Sequence, residues 1–429
     1  MNRAPVANAG PDQIVTPQSI RIPVDGHRSR DDDGDILIFH WELTARPPGS
    51  TAVITNSSNA TATLSVDHLG NYEVSLIVND GIENSMVDTM LVTVVPYAKN
   101  IILLIGDGMG FEEVRAAGMY KNGMEGHLSF EELPFRGSVT TYSARSAITD
   151  SAASATALAT GTKVNNGVIS TASPGDGSAL TTILEYFTAK GAASGLVTTA
   201  TITHATPAAF AAHESSRYNQ SEIAHDYLFD SQPDVLMGGA QFVNELSAKK
   251  AGYAVVTDRV GLLGLDTQTQ TRTWGQFGVT FLPYEAEGLG NLPHLSEMAQ
   301  TALELLENDP NGFFLMIEGG RIDHAGHENQ LTKSILEIIE FSKTTQTVLK
   351  WAEGRLDTLV IITADHETGG LKVLSNNGAG VLPDVTWQTT DHTCVDVPVY
   401  AWGVNAHKMN VKLDNTGIFN VMHSTAVGE

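Results

Sequence analysis

Ile101-Ile102-Leu103-Leu104-Ile105-Gly106-Asp107-Gly108-Met109-Gly110 is the stretch that decides the fold. Five consecutive branched apolar residues read as a strand buried on both faces, which is the pattern of a parallel sheet covered by helices. The strand then breaks into a glycine-flanked carboxylate. The same grammar recurs at Phe313-Phe314-Leu315-Met316-Ile317, which runs into Glu318, and at Leu359-Val360-Ile361-Ile362, which runs into Thr363-Ala364-Asp365-His366. Between these strands, apolar residues recur at helical spacing. Leu180, Ile183, Leu184 and Phe187 form one set, with Gly191 placed as a C-cap, and Leu295, Met298, Ala299, Ala302, Leu305 and Leu306 form another. A third helix carries Ile335, Ile338 and Ile339. Strands alternating with helices predict an α/β domain with a mostly parallel sheet.

In such sheets, ligands bind beyond the carboxyl ends of the strands. Asp107, Glu318, Asp323, Asp365 and His366 are therefore expected to converge on one edge. His327 follows Asp323 by four positions, so one helical turn would point both the same way. His392, just before the apolar run Val397-Pro398-Val399-Tyr400-Ala401, is a further candidate. Taken singly, each residue is as well explained as a turn former, a helix cap or a hydrogen-bonded histidine. Taken together, so many carboxylates would repel one another, with only Arg217 and Arg321 near in motif to offset them. Bound divalent cations resolve the conflict. Mixed histidine and carboxylate donors suit zinc, and an all-oxygen subset suits magnesium. The run Thr149-Asp150-Ser151-Ala152-Ala153-Ser154-Ala155-Thr156-Ala157 reads as a helix start. Ser151 either caps it or presents a hydroxyl beside unsatisfied N–H groups that could hold an anion. No histidine stands near Ser151 in sequence to act as its base.

Before Tyr97 the grammar differs. Residues 4 to about 96 alternate apolar and polar positions, as in Tyr72-Glu73-Val74-Ser75-Leu76-Ile77-Val78, with turns at Asp33-Gly34-Asp35, Pro47-Pro48-Gly49 and Asn79-Asp80-Gly81. Short strands at this spacing predict an all-β sandwich, with Trp41 in its core. Two domains follow, 1–96 and 97–429.

The first region resembles the PKD-type immunoglobulin-like domains of secreted bacterial enzymes, through Ala4-Pro5-Val6-Ala7-Asn8-Ala9-Gly10-Pro11-Asp12, Asp31-Asp32-Asp33-Gly34-Asp35 and Gly70-Asn71-Tyr72-Glu73-Val74. The second, over roughly residues 98–429, resembles the alkaline phosphatase family. The matching motifs, in order, are Leu104 to Gly110, Thr149 to Ala157, His204-Ala205-Thr206-Pro207-Ala208-Ala209, Ser215-Ser216-Arg217, Glu318 to His327, Thr363 to His366, and Asp391-His392-Thr393. The resemblance implies a zinc-dependent phosphomonoesterase working through a phosphoserine at Ser151. It implies one zinc on Asp323, His327 and His392 and a second on Asp107, Asp365 and His366. A magnesium would sit on Asp107, Thr206 and Glu318. Arg217 would clamp the phosphate, His324 would lie beside the substrate, and His204 would lie beside the metals, either as an outer neighbour or in direct contact. His204 and His324 stand where some relatives carry Asp and Lys. The short stretch from His366 to His392 implies a compact member of the family with an open site.

Composition bounds the rest. Lys plus Arg number 25 against 49 Asp plus Glu, a net charge of −24. So acidic a surface disfavours nucleic-acid and anionic-membrane partners, whereas small phosphomonoesters can meet a locally positive metal site. One cysteine, Cys394, excludes an intramolecular disulfide framework. The expected setting is periplasmic or extracellular with the leader absent from this chain, and the expected assembly is a homodimer. The acidic turn Asp31–Asp35 could hold calcium or be a solvated turn. Two other readings stay open at this stage: a phosphodiesterase or sulfatase-like enzyme on the same metal core, and a binding protein on a relic enzyme fold.

Overall fold

The computed structural model describes residues 2–15, 21–95, 97–270 and 272–428. These form two compact units, the second running from Lys99 to Ala426 and the first comprising the residues up to Ala98 together with Val427 and Gly428. Pro96, where the sequence places the boundary, lies outside the described residues.

The first unit is all β. One sheet orders Gln13–Val15, Asp88–Val94, Gly70–Asn79 and Ile38–Ala45, and the other orders Arg21–Asp25, Thr61–Ser65 and Val53–Thr55. Alternation places Tyr72, Val74, Leu76 and Val78 of one sheet and Ile22, Val24 and Leu64 of the other in a common core with Trp41. The Trp41 indole N–H is satisfied by the Asn59 carbonyl at 3.0 Å, as a buried polar tip must be.

The second unit is built on a ten-stranded sheet. Its order is Ala254–Val256, Thr273–Gln276, Val235–Gly239, Ala193–Thr201, Phe313–Glu318, Asn100–Ile105, Thr358–Thr363, Val397–Gly403, Phe135–Thr140 and Lys412–Asp414. The pairs from Ala254–Val256 through Thr358–Thr363 are parallel, and Val397–Gly403 is antiparallel to both its neighbours. The three strands singled out from sequence lie side by side at the centre. Their register sets Glu318 opposite Ile105 and Ile105 opposite Thr363. All three are fully buried along their length, the reason their sequences are apolar without alternation.

The predicted helices are present with adjusted ends. Leu295–Leu306 and Leu331–Ala352 carry the expected apolar faces. The helix predicted from Leu180 begins instead at Ile183, because Thr182 and Glu185 form a capping box there, while the Leu180 N–H is taken by the Ser170 carbonyl. Gly191, at φ 73°, follows the Lys190 cap and supplies the left-handed turn. Among the described residues no helix is long and apolar enough to cross a membrane.

Candidate metal and phosphate site

The central register does for the carboxylates what the sequence requires of it. Asp107 and Asp365 each stand two residues past aligned strand ends, and Glu318 closes its own strand between them and the neighbouring Ala193–Thr201. Asp323 and His327 lie on the short helix Arg321–His327, with His327 Nε2 at 3.3 Å from Asp323 Oδ2. His392 arrives on a two-residue strand, His392–Thr393, paired antiparallel with Glu367–Thr368.

Three donor groups result, each with its ligand atoms within 4.8 Å of one another: Asp323, His327 and His392; Asp107, Asp365 and His366; and Asp107, His204 and Glu318. Asp107 belongs to two of them. His204, expected beside the metals as an outer neighbour or in contact, reaches the third. The acidic turn Asp31–Asp35 makes no such group among the described residues. Asp31 Oδ1 accepts the N–H groups of Asp33 and Asp35, Asp33 accepts from the Arg3 N–H, and Asp32 pairs with Arg3 and Arg30.

The electrostatics of these groups are those of a site built around cations. Both oxygens of Asp107, Glu318 Oε1, Asp365 Oδ2 and Thr206 Oγ1 are buried with no hydrogen-bond partner among the described residues. Leaving one such group unpaired costs about 1–3 kcal/mol, so four such groups in one place call for a ligand. Burial, reinforced by the charges of Asp365, Asp323 and Glu318, pushes the Asp107 carboxyl well above the usual range. Burial raises Glu318 to about 7 and Asp365 to about 6. Asp323 goes the other way: burial opposes its charge, but the hydrogen bond from His327 and the nearby histidines hold its carboxyl well below the usual range. His327, bonded to Asp323, rises to about 9. This donor set, oxygen-rich at the third group and mixed with imidazole at the other two, fits divalent cations.

Ser151 is the first residue of the helix Ser151–Thr160, capped by Asp150, whose Oδ1 accepts the Ala153 N–H. The sequence shows no histidine beside Ser151, but the fold brings His366 Nε2 to 3.3 Å from Ser151 Oγ. The two are 215 positions apart. Arg217 is held by the other oxygen of Asp150 at 3.1 Å and by His204 Nε2 at 3.2 Å. Ser151, Arg217, Tyr218, His324, His327 and His392 line one cleft of about 330 Å³. Arg321, which its motif offers as an offset to the carboxylates, has an aromatic ring and a histidine as its partners. It stacks on the Tyr284 ring at 3.6 Å and donates to His324 Nδ1 at 2.7 Å. Because a guanidinium only donates, that bond leaves His324 neutral with its proton on Nε2. Burial also lowers His324, to about 4.

Three functional contacts escaped the sequence reading: Asp150 on Arg217, His366 on Ser151, and Thr368 Oγ1, which donates to Asp323 Oδ1 at 2.5 Å and lies 3.2 Å from His366 Nδ1. Only Thr368 left a local signal, its place two residues after His366.

Residues 98–241, 232–384 and 380–427 match the family model described as Alkaline phosphatase. The chain belongs to the alkaline phosphatase family. Residues 9–94 match a second family model, of a PKD domain. The chain is 38% identical over 296 residues to Alkaline phosphatase 3 of Bacillus subtilis, a match covering 64% of this chain and 62% of that protein. It therefore spans less than two thirds of that alkaline phosphatase. It is 32% identical over 406 residues to Streptomycin-6-phosphate phosphatase of Streptomyces griseus, covering 76% and 90%. Among solved structures, a cold-active alkaline phosphatase from a psychrophilic Shewanella superposes with TM-score 0.70 and 31% identity, covering 76% of this chain and 99% of that one. A variant of the alkaline phosphatase of the Antarctic bacterium TAB5, with a histidine changed to aspartate and Mg bound in its M3 site, superposes at 0.69 with 28% identity, covering 78% and 99%. The α/β fold and the family resemblance read from the motifs are thereby both established.

Proposed function

We propose that the chain hydrolyses small phosphomonoesters, with Ser151 as nucleophile and a phosphoserine as intermediate. The observation that carries this reading is that the Ser151 hydroxyl, at a helix start and 3.3 Å from His366 Nε2, lines one cleft with Arg217, Asp323, His327 and His392. Asp323, His327 and His392 would hold one zinc, Asp107, Asp365 and His366 a second, and Asp107, Thr206 and Glu318 a magnesium. When bound, such ions neutralise the buried carboxylates and stabilise charge on the attacking and leaving oxygens.

The protein's own groups do the rest. Arg217, oriented by Asp150 and His204, presents two N–H groups to two phosphate oxygens, a geometry that a planar guanidinium suits. The helix N-terminus at Ser151 adds unpaired N–H groups and a favourable dipole for the same anion. Ser151 Oγ bonds to phosphorus as the ester oxygen leaves, and the serine proton is balanced by protonation of the departing alkoxide. Water then cleaves the phosphoserine and restores the hydroxyl. His324, with its proton on Nε2, offers a neutral donor in the cleft wall. His204 accepts from Arg217 at Nε2, so its proton stands on the buried Nδ1, and this supports a role as outer neighbour rather than ligand.

Family membership also supports a homodimer and an extracytoplasmic setting, the first testable by sedimentation. The decisive experiment compares hydrolysis of a phosphate monoester with that of its diester after supply of zinc and magnesium. Faster monoester turnover that chelation abolishes is expected. Faster diester turnover would replace this reading with a phosphodiesterase, and no turnover of either would indicate a binding protein.

A further inference from the structure

Glu113 has no part in the chemistry above, yet it is a buried acid without a hydrogen-bond partner among the described residues. It lies in the first turn of the helix Phe111–Asn122, is 2% exposed, and neither of its carboxyl oxygens has a hydrogen-bond partner among the described residues. Its neighbour is a second buried acid, Glu367, 3% exposed. The two meet at Gly110, where an added Cβ would lie 2.6 Å from Glu113 Oε2 and 2.5 Å from Glu367 Cγ. Glycine stands there because both side chains fill the space.

The partners of the two acids are unequal. Glu367 Oε1 accepts the N–H groups of Gly370 at 2.7 Å and Leu371 at 3.3 Å, and Oε2 accepts the Thr393 hydroxyl. Three donors fix Glu367 as the acceptor of the pair. Glu113 has no hydrogen-bond partner among the described residues, and the N–H groups of Gly110 and of Glu113 itself favour its charge only weakly, so the inexpensive form for it is the neutral acid, whose O–H is a donor. Burial, then the charge of Glu367, raises the Glu113 carboxyl well above its usual range, in the same sense.

What Glu367 holds gives the contact its meaning. It follows His366 directly, and its two-residue strand pairs with His392–Thr393. The hairpin so formed carries one histidine of each mixed donor group, and Thr368 on it bonds Asp323. Glu113 belongs to the helix that follows the Asp107 loop. We infer that Glu113 is a positioning residue, a neutral acid that donates to Glu367 and so locks the Asp107 loop and helix to the hairpin bearing His366 and His392. The consequence for metal retention rests on the reading proposed above, whereas the lock itself does not.

Hydrogen exchange of the full-length chain tests the lock, followed by mass spectrometry in peptides covering 366–371 and 391–394. Glu113→Gln keeps an uncharged donor and should exchange within about twofold of wild type. Glu113→Leu keeps the bulk and removes the donor, and should speed exchange in both segments by roughly tenfold while distant segments stay unchanged. Thr393→Val, which removes another Glu367 partner, should act in the same direction and keeps the test available should the leucine variant fail to fold. In zinc-loaded protein, metal loss to excess chelator should accelerate several-fold in Glu113→Leu and not in Glu113→Gln. Unchanged exchange in both Glu113→Leu and Thr393→Val would overturn the inference. Equal damage from Gln and Leu would overturn it as well, because the position would then need a charge and not a donor. Failure of wild type to bind zinc would strike the metal reading and leave the exchange result standing.

Discussion

Stripping the metals should make the protein's stability depend steeply on pH, in a direction opposite to ordinary acid denaturation. The buried carboxyls fix both sign and size. Glu318 stands at about 7 against 4.5 for a free glutamate, and Asp365 at about 6 against 3.8. A carboxyl raised on folding contributes stability that is fully present below its unfolded value and is lost as pH rises through its folded value. For these two groups the contribution declines above about 4 and is gone above about 7. One unit corresponds to about 1.36 kcal/mol, so each group is worth on the order of 3 kcal/mol. They share neighbours, so the pair amounts to roughly 5 kcal/mol rather than a strict sum. His327, raised from 6.5 to about 9 by its bond to Asp323, acts with the same sign between about 6.5 and 9. At about 2–4 °C per kcal/mol for a large domain, the gap in Tm between metal-loaded and stripped protein should widen by on the order of 10 °C between about pH 5.5 and 8. Thermal unfolding of EDTA-treated and zinc- and magnesium-loaded protein, at constant ionic strength across that range, measures it directly. A gap that stays constant or narrows with rising pH would show that the carboxyls are not the groups relieved by metal, and the site assignment would fall with it.

Other consequences are simpler to read. Ser151→Ala should reduce kcat by at least about a thousandfold with zinc content unchanged by elemental analysis, because its hydroxyl is asked to supply the nucleophile and not a structural bond. Arg217→Ala removes two charge-assisted hydrogen bonds, each worth about 1.5–3 kcal/mol. The expected loss in kcat/KM is therefore about 10²–10⁴-fold, with little change in Tm because Asp150 keeps the Ala153 and Gly167 N–H groups. His204→Asp places a hard oxygen donor beside Asp107 and Glu318, so calorimetric titration should show magnesium binding tightened by about tenfold.

The legibility of this molecule in sequence follows the reach of each interaction. Asp107, Glu318, Asp365 and His366 could be read because a doubly buried strand must be apolar and must end where a polar residue begins. Asp323 and His327 could be read because a helix repeats every few residues. The place of His204 was left open by its motif, since nothing local to His204 records that Arg217 takes its Nε2. Arg321 is a second such case: its guanidinium bonds His324, three residues on in the same helix, but its stacking on Tyr284 depends on segments far apart in the chain.

Sequence alone therefore determined which residues are candidates for the chemistry and on what kind of scaffold, because strand burial, helical period and family motifs are local properties. Tertiary structure decided what those residues do to one another. The 3.3 Å approach of His366 to Ser151, the hold of Asp150 on Arg217 and the meeting of Glu113 with Glu367 at Gly110 all join separate segments across the sheet edge. Such contacts depend on strand order and register, and these are fixed by how the whole apolar core closes rather than by any one stretch of chain.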